Sequence, residues 1–324
     1  MSFGDSVGYG FGFNGMIRDD EVKGSGNSYD FGARMQDSRI GGRFWSIDPK
    51  WHNFLNITPY AFAANNPIFF IDENGESPGY SVMKFFAKNG RTVIAVSNSG
   101  MIGAGLTASI GSGMAVDKHG NVALFQTKGG LSSSETRERG PSIYMGGSSQ
   151  VSAELAILPG LDNVKEILGH GGELGSGYGN MLISLNVGLV VNQHDEYIGA
   201  ILGSGLGPSI GGSYQNTFVN GVLMTEEEYE QFSEVVDDSW SRIFKKTKNW
   251  NRLQGEGVWE VGKSIVDYQE VEGKKGVMEA VVTTTLYFKT FGEANEVITT
   301  TTDRTGVYFK KDNDGNFISN GLQK

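Results

Sequence analysis

From Ile102 to Val116 the chain alternates with a period of two. Its even positions read Ile, Ala, Leu, Ala, Ile, Ser, Met and Val, and the odd positions between them Gly, Gly, Thr, Ser, Gly, Gly and Ala. A helix would scatter these apolar residues around its axis, whereas a strand sets them on one face and leaves the other nearly bare. The pattern predicts one long strand, bent at a glycine. Related units recur, since residues 184–194 repeat the pattern of 109–119 and residues 203–211 that of 103–111. The two offsets are unequal, which predicts an irregular antiparallel meander and argues against a solenoid.

Helical spacing is found in two places. Leu161, Val164, Ile167 and Leu168 are followed by Gly169, and this predicts a short helix over 161–168 that covers one end of the sheet. Thr225 and Glu228 form a capping box ahead of the stripe Tyr229, Phe232, Val235, Val236, Trp240, Ile243 and Phe244. With acids at its start and lysines at its end, this predicts a long amphipathic helix over 225–248. Beyond it, residues 276–289, 294–302 and 305–311 read as a β meander turning at 291–294, 303–306 and 312–316. The expected fold is mainly β: an antiparallel, Gly-rich barrel or sandwich with one long helix and a C-terminal meander. The expected divisions fall at 1–78, 79–222 and 223–324.

Composition narrows the chemistry. The 48 glycines among 324 residues, with only 7 prolines and no period of three, fit turns and tightly approached strands and not collagen. There is no cysteine, so disulfides and thiolate metal sites are excluded. The net charge of −10 is not relieved by any basic cluster, so nucleic acid is not an expected partner. The amino terminus shows no basic and apolar leader, and no secretory signal is expected there. Residues 92–116 and 197–225 carry no charge at all. One apolar face opposite a small, weakly polar face is also how a membrane-spanning strand looks.

Candidate reactive groups are few. His119 and His194 stand at matching places in the repeated units and read as turn residues. His170 and Glu173 have no such counterpart. They are the candidate catalytic pair, with His170 as base or ligand in a glycine-rich loop. Residues 312–316 resemble a calcium loop but lack its full acidic ligand set, so Asp312 and Asp314 read as hairpin residues. No phosphate loop, zinc-protease motif or nucleophile elbow is present, and neither a cofactor nor a metal is expected.

The first quarter of the chain carries its own motifs: Gly26-Asn-Ser-Tyr-Asp-Phe-Gly-Ala-Arg-Met, Arg39-Ile-Gly-Gly-Arg-Phe-Trp-Ser-Ile-Asp-Pro and Ala64-Asn-Asn-Pro-Ile. Its aromatic runs at 29–31, 43–47 and 68–71 read as short strands. The stretch resembles the carboxy-terminal end of an RHS repeat-associated core domain, the segment that precedes the variable tip of RHS/YD-repeat proteins. That resemblance implies a core remnant over 1–78 and a variable, toxin-like effector region after it. Secretion or surface display, a target cell and a cognate immunity protein would go with that role. Some members cleave themselves at two Asp-Pro motifs, and the matching positions are Asp48, which keeps Pro49, and Asp72, which is followed by Glu73. The readings carried forward are an effector region of unspecified activity, a membrane-inserting or pore-forming β protein, and a non-catalytic binding or structural module.

Overall fold

The fold is that of a computed structural model, which describes residues 11, 16–40, 42–46, 60, 62, 79–139, 142–246, 259–289 and 296–323. The chain forms two compact units, Met1–Val82 and Met83–Lys324. Asp48 and Asp72, and the expected strand at 68–71, lie outside the described residues.

In the first unit β1 (Ile17–Arg18), β2 (Ser28–Asp30), β3 (Met35–Asp37) and β4 (Arg43–Phe44) make a four-stranded antiparallel sheet in that order, with the single turn of α1 (Asp20–Lys23) after β1. Strands this short bury little by themselves. Their core is a trio of aromatics, Phe31, Phe44 and Phe62, packed edge to face with ring centroids 5.3–5.8 Å apart. Asp37 is buried against Arg39 and Lys23 at 3.0 and 2.6 Å, and these two cations hold its carboxyl well below the usual carboxylate range.

The second unit begins within α2 (Gly79–Gly90), which the sequence pattern did not single out and which buries Met83 and Ala87. Next come β5 (Val93–Val116), β6 (Val122–Gly130), α3 (Ser134–Glu138), β7 (Ile143–Leu158), β8 (Gly169–Gly179), β9 (Ser184–Asn192), β10 (Tyr197–Leu206) and β11 (Ser209–Met224). Long helix α4 (Glu226–Lys246) precedes β12 (Trp259–Glu270), β13 (Val277–Lys289), β14 (Glu296–Lys311) and β15 (Phe317–Ser319). The fold is mainly β, as the alternation predicts.

The strands from β5 to β11 form a barrel. Ladders run from β5 to β7, β10, β9, β8, β11 and β6 and return to β5, each pair antiparallel. Three long tracts make this closure: β5, β6 with β7, and β10 with β11. Each bends at one level, at Gly103 to Gly105, at the α3 excursion, and at Gly207-Pro208. Gly105 and Gly207 have φ of +82° and +112°, which side chains bearing a Cβ rarely adopt. A methyl group on Gly111 would meet the Asn98 carbonyl oxygen at 3.1 Å and the Ser99 Cβ at 3.3 Å, so the second half of β5 runs against its first. The β8–β9 hairpin completes the wall, and its tip at 180–183 lies at the bent end.

The opposite end of the barrel is filled conventionally. Val93, Ala115, Ala123, Leu158, Leu161, Val164, Ile198 and Leu223 form one buried cluster. The expected helix over 161–168 is a four-residue 3-10 turn, Val164–Ile167. Asn163 caps this turn, and Asp117 accepts the Val164 N–H at 3.4 Å, which pins so short a segment without a full helical ladder.

Helix α4 begins one residue after Thr225, whose hydroxyl accepts the Glu228 N–H at 3.3 Å while Glu228 accepts the Thr225 N–H at 3.0 Å. Its Phe232 joins Val282, Val307 and Phe309 of the C-terminal strands in a second core. β12 pairs with β13 throughout its length. The turn expected at 303–306 is a bulge inside one continuous β14. There Gly306 takes φ of +70°, and Glu279 accepts from the Gly306 N–H and from Arg304. β15 lies antiparallel to β14 and pairs in parallel with β11 at Val222 and Leu223, so one sheet runs across residues 222–223 and is not wholly antiparallel.

Candidate functional site

The alternation that makes these strands has an unexpected orientation. Towards the bent end the apolar face points outward. Ile102, Leu106 and Ile110 of β5 are each more than half exposed, as are Met145 and Val151 of β7 and Leu206 of β10. The hairpin tip is more open still, with Met181, Leu182 and Ile183 at 83%, 75% and 62% exposure. No charged side chain stands in β5, in β9 through β11, or along 174–192. Charge on the outer wall begins at Lys128 and at α3, which carries Glu135, Arg137 and Glu138, with Arg139 just after it.

The inner face carries the polar groups. On β7 the even positions Ser148, Gln150, Ser152 and Glu154 turn inward while Val151, Leu155 and Ile157 turn out. Glu154 accepts from Ser152 Oγ at 2.8 Å, from Ser97 Oγ at 3.3 Å, and from Ser99 Oγ. Gln215 of β11 accepts from Ser109 Oγ at 2.9 Å and donates through Nε2 to Glu173 Oε2 at 3.3 Å. Gln150 donates to Asn186 Oδ1 at 3.0 Å and accepts from Ser184 Oγ at 2.8 Å. These bonds cross between strands that are not always neighbours, so they tie the wall together from within.

They line a cavity of about 150 Å³, room for several waters. Glycines make that space. A Cβ on Gly175 or Gly188 would stand 3.3 or 3.1 Å from Glu173 Oε1, and one on Gly203 would meet the Glu154 Cγ at 3.0 Å. Glu173 is half-buried and lines the cavity. Burial, reinforced by the Glu154 charge and only partly offset by the Gln215 hydrogen bond, pushes its pKa up to about 7.

The candidate pair His170 and Glu173 is not brought together. Both belong to β8, which is a strand and not the expected loop. The bare glycines around them give no local preference, but ladders to β9 and β11 hold the segment extended. Positions three apart on a strand face opposite ways. Glu173 enters the cavity, whereas the His170 ring lies against Phe218, with centroids 5.0 Å apart, and its Nδ1 is buried without a hydrogen-bond partner. No base-and-acid couple results from this geometry.

His119 and His194 are turn residues. Asp117 accepts the N–H groups of His119 and Asn121, Asn192 accepts those of His194 and Glu196, and Asp312 accepts those of Asp314 and Asn316. Three hairpins thus share one side-chain-supported turn, and among the described residues no cluster of acids and histidines could hold a metal. Glu154, Gln150, Gln215 and the apolar tip were not singled out from sequence. The signal was present in β7, where polar residues recur at every second position.

No protein-family model, curated protein or solved structure matches the chain.

Proposed function

We propose that the barrel of the second unit is a membrane-inserting β module whose bent end and outer wall enter a lipid bilayer. One observation carries the reading: from the hairpin tip to the level of Lys128 and α3 the wall is apolar and free of charge outside, and it is hydrogen-bonded and polar inside, the reverse of a water-soluble barrel. A bilayer demands that arrangement. It offers no partner to backbone polar groups, which a closed ladder supplies, and it rewards an apolar exterior. β8, β9 and β10 have 11, 9 and 10 residues, the span a tilted strand needs to cross a hydrocarbon core of about 30 Å. Soluble monomers rarely leave so continuous an apolar surface in water.

Magnitudes decide how much of the wall takes part. Burying one large apolar side chain contributes about 1.5–3 kcal/mol, so the three tip residues supply about 5–9 kcal/mol. That reaches micromolar affinity, about 8 kcal/mol, only at its upper end. Stable insertion therefore recruits the wall above the tip, up to the charged level of α3.

The RHS-type resemblance of residues 1–78 adds a context of delivery. In that context the module is the effector region of a secreted or surface-displayed chain, its target is the membrane of another cell, and an immunity protein covers the apolar wall in the producer. The test is dye release from neutral phosphatidylcholine vesicles by the full chain. Release or tight binding at sub-micromolar protein supports the reading; intact, unbound vesicles at high protein load overturn it and leave a binding or structural module.

A further inference from the structure

Two carboxylates, Glu154 and Glu173, turn into the polar lumen, and no lysine or arginine lines it. Its bordering titratable groups are Tyr144 and Glu154 on β7, His170 and Glu173 on β8, and Glu166 on the 3-10 turn; β5, β6, β9, β10 and β11 contribute none. The two inner carboxylates are held unequally. Glu154 accepts three serine hydroxyls, the arrangement of a solvated anion. Glu173 accepts a single long amide bond, and the glycines at 175 and 188 leave its other oxygen facing open cavity. An ionised Glu173 would be a second negative charge in a narrow, partly enclosed space whose lining holds no lysine or arginine to meet it.

We propose that Glu173 is a proton-binding site within the lumen, opposed by Glu154, and that its protonation favours entry of the barrel into a bilayer. The consequence for entry rests on the membrane reading above; the site itself does not. The sign follows from its raised pKa. Glu173 binds its proton more tightly in the closed barrel than in water, so acid favours the closed state, and the charge lost on protonation need not be carried into hydrocarbon. A shielded carboxyl that takes its proton near neutrality makes insertion respond to the pH of the compartment the protein reaches.

Two readouts on the full chain test this. The first is the infrared band of a protonated carboxyl, followed across neutrality without any membrane. A band titrating near pH 7 in the wild type and missing in Glu173→Gln is expected. Its persistence in that variant, or its absence from the wild type, overturns the site. Glu154→Gln is the second variant, should Glu173→Gln not fold. It moves the titration towards acid, and an unmoved titration contradicts the opposition of the two groups.

The second readout is binding to neutral phosphatidylcholine vesicles, which do not themselves titrate near neutrality. Wild-type binding is expected to weaken about tenfold for each pH unit above the titration, while Glu173→Gln binds tightly at every pH. Wild-type binding that ignores pH, with the band still titrating, overturns the coupling. No binding at any pH overturns the coupling together with the membrane reading, and the infrared result then decides the site alone.

Discussion

At one end of the barrel Val93, Ala115, Ala123 and Leu223 point inward and are wholly buried, and at the other Met145, Leu206 and the tip residues point outward while serines, glutamines and glutamates fill the interior. The same strands run through both ends, and within β5 the alternation is continuous. What changes is the company each face keeps. Near the 3-10 turn and the C-terminal strands, other elements cover the wall and the inner space is small enough for valine and alanine. Past the bend nothing among the described residues covers the outer wall, and the inner space is left to hydroxyls, amides and glycine. The contrast teaches that one binary pattern can leave an apolar face buried at one end of a barrel and exposed at the other.

The largest expected effect belongs to the conventional end. Leu223→Ala removes a side chain buried in the cluster that closes the barrel and is expected to cost about 2–5 kcal/mol of stability, read as a shift of the denaturant midpoint. Leu185→Ala, on the outward face of β9 where the side chain is 62% exposed, is expected to change stability in water by less than about 0.5 kcal/mol. Similar losses at both sites would break the comparison.

Next in size is a charge on the outer wall. Val187→Arg is expected to leave folding in water nearly unchanged and to weaken vesicle binding by about 2–4 kcal/mol, the cost of an arginine at mid-bilayer depth on a barrel. Equal binding by variant and wild type would show that this wall stays out of lipid.

Glu173→Gln sharpens the account of the lumen. A carboxyl whose folded pKa is raised to about 7 stabilises the fold at low pH. That contribution falls away as pH rises through the unfolded value near 4.5 and is gone above about 7. The variant is expected to flatten this slope, worth on the order of 3 kcal/mol, in melting curves taken at several pH values. Smallest is Thr225→Ala, which deletes the α4 cap and is expected to cost about 1 kcal/mol without touching vesicle binding.

Much of the architecture was legible in the sequence because it depends on local spacing. The period of two named β5, the capping box at Thr225 and Glu228 named α4, and the repeated Asp117 and Asn192 turns identified His119 and His194 as hairpin residues. The direction of the apolar face was not legible, since alternation has no sign: Ile102, Leu106 and Ile110 would give the same pattern facing a core or facing lipid. The His170 and Glu173 pair was misread because Gly169, Gly171 and Gly172 hide the period of β8, and strand geometry then separates what sequence proximity joined. Glu154 acquires its meaning from Ser97, Ser99 and Glu173, which lie on strands that only the closed barrel brings together. The 3-10 turn at Val164–Ile167 owes its form to tertiary hydrogen bonds that spacing does not record.

A cysteine-free chain makes the central claim directly measurable. Leu182→Cys at the hairpin tip and Lys118→Cys at the opposite end would each carry a single environment-sensitive fluorophore, read with and without neutral phosphatidylcholine vesicles. The account predicts a strong blue shift at position 182 and none at 118. A label at 182 that stays as wet with vesicles as without them, on protein shown to be folded, would contradict the membrane-inserting wall.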